Sequence, residues 1–321
     1  MREVAFCFGH VMLYWDTILV VLAAVACFLA IWSAYGANGG SRAAFAAFVP
    51  LGAVLALAVS RLMFWYCHSE QFPSLAAAFV PGASGSFCLS GVVIGLALAA
   101  LLLRAAGLEK DTALLLDCVS PGLALGLALL RLSSLFNATC RGKVPITDER
   151  FCRLPFAAAV PGGGEYRFAS FFVGALLFLV LFAVLTLLFV RRWGRRGDVF
   201  LAFLVLYSAV ELVIDSTRHD ASYFTFNAFI SVAQILGAAA MLGVLVVFSC
   251  RSIRSGGPKL HRALCWIAWF LGAGIAGVSE YLVQRHGNWQ LGCYTLMSIG
   301  ALVLIFATFA VYRPVCGEKT E

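Results

Sequence analysis

Apolar residues run along this chain in nine long blocks, at positions 17–35, 43–67, 87–103, 112–130, 168–190, 199–214, 229–248, 264–283 and 291–311. A helix needs about 17 to 25 such residues to cross a ~30 Å hydrocarbon layer, and the blocks match that length. Gly, Pro and charged residues punctuate them, as helix ends require. The short alternating segments of a membrane β-barrel are absent. The pattern predicts an all-α, polytopic helical membrane protein. The first block follows Tyr14, Trp15 and Asp16 rather than a basic segment. It also overruns the apolar stretch of about 7 to 15 residues in a signal peptide, so it is read as a span.

Composition excludes a water-soluble core wrapped in charge: 62% of the residues are apolar and only 12% charged. Lys and Arg concentrate in the odd-numbered connections and the C-terminal tail, most densely at Arg191, Arg192, Arg195 and Arg196. The positive-inside rule then places the N-terminus outside and the C-terminus in the cytoplasm. The net charge of +7 suits contact with an anionic leaflet. Eleven cysteines are scattered, mostly within blocks, where they act as small apolar groups.

Two blocks look alike. Residues 50–66 read PLGAVLALAVSRLMFWY and residues 121–137 read PGLALGLALLRLSSLFN. Each carries a proline, a run of small apolar residues, then Arg-Leu, so the first four helices read as a parallel repeat of two pairs. The connection 131–167 contains Pro145, Pro155, Pro161 and three glycines from Gly162, and is read as a small outer-face domain or lid.

Ionisable groups inside apolar blocks carry the chemical information, because a charge at the bilayer centre costs at least about 2.5 to 3.5 kcal/mol. They are Arg61, Asp117, Arg131, Glu211, Asp215 and Glu280. Arg61 and Arg131 near the outer boundary have the forked donors that match phosphate, or else they snorkel or pair with a carboxylate to lock helices together. Tyr207, Glu211, Asp215 and Arg218 fall at spacings of four, four and three, which stacks them along one helix face. Asn137 adds a neutral polar group just past Arg131. None of the phosphate-loop, dinucleotide, nucleophile-elbow or HExxH motifs is present, and the five histidines lie far apart, which leaves a metal cluster without support.

The stretch LLLDCVSPGLALGLALLRLSSLFNATCRGK from Leu114 to Lys143 resembles the signature region of the bacterial prolipoprotein diacylglyceryl transferases, with Asp117, Pro121, Arg131, Asn137 and Gly142 in matching places. Arg61 falls on the arginine of the family's second-helix segment. The stretch GDVFLAFLVLYSAVELVIDSTRHD is similar to its sixth helix, with Tyr207, Asp215 and Arg218 in place. The resemblance implies seven family-like spans in a membrane domain over residues 1–250, followed by a two-helix extension over 251–321. It implies an enzyme that passes the diacylglyceryl group of phosphatidylglycerol to the lipobox cysteine of secreted prolipoproteins and releases glycerol 1-phosphate. Arg131, Asp215, Tyr207 and Glu211 would form the catalytic group, and Arg61, Arg131, Asn137 and Arg218 the phospholipid-binding group. The implied partners are phosphatidylglycerol, prolipoprotein signal peptides and membrane lipids in the bacterial cytoplasmic membrane. No cofactor, metal or nucleic acid is implied.

Several positions depart from the family pattern, among them Ser133, Ala138 and Asp215, which replace Gly, Gly and Glu, and four at family-functional places. The family's histidine, its candidate base, falls on Cys88; Ser134 and Thr139 replace Asn and Glu of the signature; and the sixth-helix arginine falls on Glu211, reversing its charge. The base would then be reassigned to Asp215, Glu211 or His68. The alternative is a catalytically silent relative that binds phospholipid or lipoprotein precursors. A small-molecule transporter is the weaker alternative, resting on the intramembrane charges and the repeat.

Overall fold

The computed structural model describes residues 4–8, 11–80, 87–136, 142–160, 164–219, 221–223, 229–285 and 290–312. Each apolar block forms one helix: α1 Trp15–Ala37, α2 Arg42–Cys67, α3 Leu89–Ala105, α4 Thr112–Ser133, α5 Ser170–Val190, α6 Asp198–Ser216, α7 Val232–Arg254, α8 Lys259–Arg285 and α9 Gln290–Ala310. Eight are long and apolar enough to cross a membrane, and α3 falls short at 17 residues. Its rise of about 25 Å is less than the hydrocarbon thickness, so it suits a helix with one end inside the layer. Helix edges depart from the block edges where polar side chains decide them. α7 starts at Val232 because Ser231 and Gln234 cap it reciprocally, through bonds of 3.2 and 2.9 Å.

Helices α4 and α6 form the centre, with 67% of each apolar window buried against 11% for α1. Helix α4 touches α1, α5 and α6, while α6 also meets α5, α7 and α9. The hairpin α8–α9 therefore docks on the bundle through α9. In the first four helices, α1 packs along α4 and α2 along α3. The two supposed pairs are thus not two separate hairpins. Exchanging the first pair for the second, α1 for α3 and α2 for α4, carries one of these contacts onto the other, as a repeat with interlocked helices requires.

Small residues make both contacts close. A Cβ on Gly91 would lie 2.4 Å from Cα of Ser60, and one on Gly95 2.6 Å from Cα of Ala56. On α4, the same addition at Gly122 would meet Ile31 at 2.5 Å, and at Gly126 Cys27 at 3.0 Å. Each pair of glycines is four apart, the spacing that lets two backbones approach in lipid, where packing rather than water expulsion drives association.

Asp117 shows what one intramembrane charge does. Gly197 stands at the N-cap of helix α6, with a left-handed φ of 93° and no side chain to cap the helix. Asp117 reaches across from α4 instead and accepts from the backbone N–H groups of Gly197 at 2.7 Å and Phe200 at 2.9 Å. The carboxylate neutralises helix-end donors that lipid cannot satisfy. Replacing Asp117 with Ala leaves both donors unpaired and is expected to cost about 2 kcal/mol, read as earlier thermal unfolding in detergent. Asn, which keeps an accepting oxygen, loses less. Equal loss for Ala and Asn contradicts the capping role. Nearby, Asp198 pairs with Arg251 and Asp111 with Arg196, closing that end of the bundle.

The opposite end carries the only described strands. The hairpin β1 Val4–Phe8 and β2 Val11–Tyr14 leads into α1. Within the long connection, β3 Pro145–Ile146, β4 Ala157–Ala159 and β5 Tyr166–Phe168 form an antiparallel sheet in the order β3-β5-β4. The connection read as a small domain therefore has a sheet of its own, placed over the end at which α4 and α6 finish.

Candidate active site

The polar stripe predicted on α6 is present, and it faces inward. Tyr207, Glu211 and Asp215 are 5%, 1% and 3% exposed, which in lipid demands partners. Glu211 finds Arg131 of α4, whose Nη2 lies 2.5 Å from Oε1. The Arg131 guanidinium also sits 6.0 Å from the ring centroid of Phe178 on α5. Asp215 is held by Arg218 at 3.2 Å, three residues on, just beyond the end of α6. Tyr207 stacks on Phe203 and Phe178 at 5.4 and 6.0 Å. Four of the residues predicted to act together are thus assembled from α4 and α6, with Arg218 at their edge.

Among the described residues, three buried polar atoms in this cluster have no hydrogen-bond partner: Nε of Arg131, the phenol oxygen of Tyr207 and Oδ2 of Asp215. Buried polar atoms are rarely left unpaired, since each costs about 1–3 kcal/mol. All three belong to the group of side chains around the Arg131–Glu211 and Asp215–Arg218 pairs.

Beside them lies a cavity of about 40 Å³, lined on one side by Glu211, Asp215 and Arg218 and on the other by Cys88 and Ser90. The second wall is the start of α3, the short helix. Its first residues are stitched to α2, where Ser60 Oγ donates to the Cys88 carbonyl at 2.8 Å and the Cys88 N–H donates to the Ser60 carbonyl at 3.2 Å. A helix that begins inside the layer presents free N–H groups and a positive dipole end to such a cavity. Cys88, onto which the sequence resemblance places the family's histidine, is on this wall.

Arg61 does not join them. Its guanidinium is caged by the rings of Phe64, Phe72 and Phe87, with centroids at 5.6, 5.3 and 5.5 Å, and its Nε donates to the Ala78 carbonyl at 2.8 Å. Phe64 and Phe87 also line the cavity, so Arg61 stands behind its aromatic wall rather than on its surface. The two arginines read as a clamp are therefore not equivalent: one is in the polar cluster and one supports the ring cage. His68 stacks on Phe64 at 4.3 Å, outside the cavity lining. Asn137 lies outside the described residues. Ser90 and Ser222, which line the cavity, carried no signal in the sequence.

A family model for prolipoprotein diacylglyceryl transferase matches residues 3–250, more than three quarters of the chain. The chain belongs to the prolipoprotein diacylglyceryl transferase family. A phosphatidylglycerol--prolipoprotein diacylglyceryl transferase of Dehalococcoides mccartyi is 26% identical over 258 residues, covering 77% of this chain and 93% of that one. The same enzyme of Lactobacillus johnsonii is 24% identical over 207 residues, 63% and 72% of the two chains. That of Tropheryma whipplei is 31% identical over 153 residues, 44% and 53% of the two. The chain thus spans about half the length of the Tropheryma relative it matches. Together with the eight apolar helices, family membership makes this a multi-pass membrane protein. The match to the transferase family ends inside α7, and α8 and α9 lie beyond it.

Proposed function

We propose that this chain transfers the diacylglyceryl group of phosphatidylglycerol to the thiol of a prolipoprotein lipobox cysteine, in the bacterial cytoplasmic membrane, with its N-terminus and the site facing outward. The observation that carries this reading is the group of buried atoms on Arg131, Tyr207 and Asp215, unpartnered among the described residues, beside the start of α3. A headgroup phosphate offers acceptors for the Arg131 Nε–H and the Tyr207 O–H, and the α3 N-terminus adds favourable dipole charge.

The reaction needs a proton acceptor, since a free thiol with a pKa of about 8.5 is mostly protonated at neutral pH. The Arg131–Glu211 pair supplies a route. An arriving phosphate exchanges with Glu211 on the guanidinium, and Glu211, freed from its cation, stands next to the cavity to receive the thiol proton. The sulfur then attacks the glyceryl carbon, a C–S bond forms, and the C–O bond to phosphate breaks. Glycerol 1-phosphate departs with the electron pair, its growing charge held by Arg131. The family-like domain over 1–250 supplies the groups of this step, and the extension over 251–321 takes no part in the proton transfer or the displacement.

A second reading rests on the same ion pair. A guanidinium locked to Glu211, with Cys88 where the family has histidine, suits a relative that holds phospholipid without turning it over. Expression in bacteria depleted of their own transferase separates the two. Restored lipid labelling and a mobility shift of a precursor lipoprotein are expected. A folded, membrane-inserted protein that leaves the precursor unmodified rules out the transferase reading.

A further inference from the structure

Three arginines stand at or behind the cavity, and each is engaged. Arg131 is paired with Glu211, Arg218 with Asp215, and Arg61 sits in its ring cage. Lys143 is different. Its backbone N–H donates to the Thr217 carbonyl at 2.9 Å, and neighbouring Gly142 bridges to Arg218, which anchors it at the end of α6. Its side chain is partly buried, and among the described residues its ammonium forms no ion pair.

The hairpin beyond the family match brings a carboxylate to the same place. Glu280 of α8 is 3% exposed; one oxygen accepts from Gln284 Nε2 at 2.8 Å and the other has no partner among the described residues. The Tyr294 O–H of α9 donates to the Ser216 carbonyl at 3.4 Å, which fastens the hairpin to the residue after Asp215. Burial pulls the Lys143 ammonium below the usual lysine value, and the carboxylates of Glu280 and then Asp215 act against that fall. The Tyr223 phenol, facing the same two carboxylates, is pushed up to about 12, by burial first.

We propose that Lys143 is a phosphate-binding residue for the phospholipid headgroup, and that Glu280, from outside the family-like domain, is its positioning residue. The proposal rests on the phospholipid reading above and adds a cation that forms no ion pair among the described residues. A phosphate that meets Lys143 need not first break an ion pair, unlike one that meets Arg131 or Arg218. The Glu280 carboxylate acts against the burial that disfavours the ammonium, without the direct contact that would block an incoming anion. Asp215, Arg218 and Tyr223 are the other titratable groups around it, and only the carboxylates help it stay charged.

The test is binding of short-chain phosphatidylglycerol, against phosphatidylcholine, to the full chain in nanodiscs, with transfer to a precursor followed in parallel. Lys143→Met is expected to weaken phosphatidylglycerol binding about tenfold and Lys143→Arg to restore most of it. Binding falls at alkaline pH as the ammonium deprotonates. In Glu280→Gln, which removes a charge that raises the lysine, that fall is expected at lower pH than in wild type, with binding at pH 6 unchanged. Lys143→Met binding within twofold of wild type overturns the proposal, and an unshifted pH profile in Glu280→Gln overturns the role of Glu280. A wild-type chain that binds but does not transfer, with binding lost in Lys143→Met, supports Lys143 while the transferase reading fails. Transfer by wild type with undiminished binding in Lys143→Met has the reverse meaning.

Discussion

Replacing Arg131 with Ala is expected to lower diacylglyceryl transfer by about 10²–10³-fold, the usual cost of removing one donor aimed at developing charge. The same change strands Glu211, which is 1% exposed and has Arg131 as its ion-pair partner. An uncompensated buried carboxylate costs about 3–5 kcal/mol, so the single variant is also expected to unfold more readily. The two effects separate in a double variant. Arg131→Ala with Glu211→Ala removes both charges, recovers most of the stability and leaves transfer low. Stability is followed by thermal unfolding in detergent, and transfer by incorporation of labelled lipid into a precursor in phosphatidylglycerol vesicles. An Arg131→Ala protein that transfers at the wild-type rate removes Arg131 from the reaction. A double variant no more stable than the single one shows that the ion pair is not what fails.

The second large effect is expected at Gly95. A Cβ there would lie 2.6 Å from the Ala56 Cα and equally close to the Leu55 carbonyl, both backbone atoms that cannot step aside. Gly95→Leu is expected to force α2 and α3 apart, at about 3 kcal/mol or more, and to sharply reduce the amount of folded protein in the membrane. Gly243 and Gly274 are the controls, since nothing lies within 4 Å of a Cβ at either position. Leu at those sites is expected to leave accumulation near wild type. If Gly95→Leu accumulates like the controls, the close approach of α2 and α3 does not hold the bundle together.

The spans were legible because lipid permits so few solutions: a backbone that must satisfy its own hydrogen bonds becomes a helix of bilayer length. The α6 stripe was legible for a similar reason, since a spacing of four fixes the shared face of Tyr207, Glu211 and Asp215 without any knowledge of the neighbours. What the stripe meets was not legible. Arg61 and Arg131 occupy like places in two similar sequences, yet one ends in a ring cage built from residues 64–87 and the other in a salt bridge to α6. Asp117 has the features of a functional charge, and only the position of Gly197 on another helix shows it to be a cap. Glu280 was visible as an intramembrane carboxylate, but its place near the end of α6 depends on where α8–α9 docks. Each of these distinctions is set by the path of the chain between helices, which periodicity does not encode.

The interlocked contacts of the first four helices also bear on how the protein is made. Helix α1 packs mainly on α4, and α2 on α3. During synthesis at about 5–20 residues per second, α2 meets its partner as soon as α3 emerges, while α1 waits several seconds longer for α4. Through that interval the newborn α1 has only lipid, or the insertion machinery, along the face that Gly122 and Gly126 will later occupy. A ribosome stalled between α3 and α4 therefore leaves an inserted but unclasped first helix, the form of this chain most open to capture by a membrane protease.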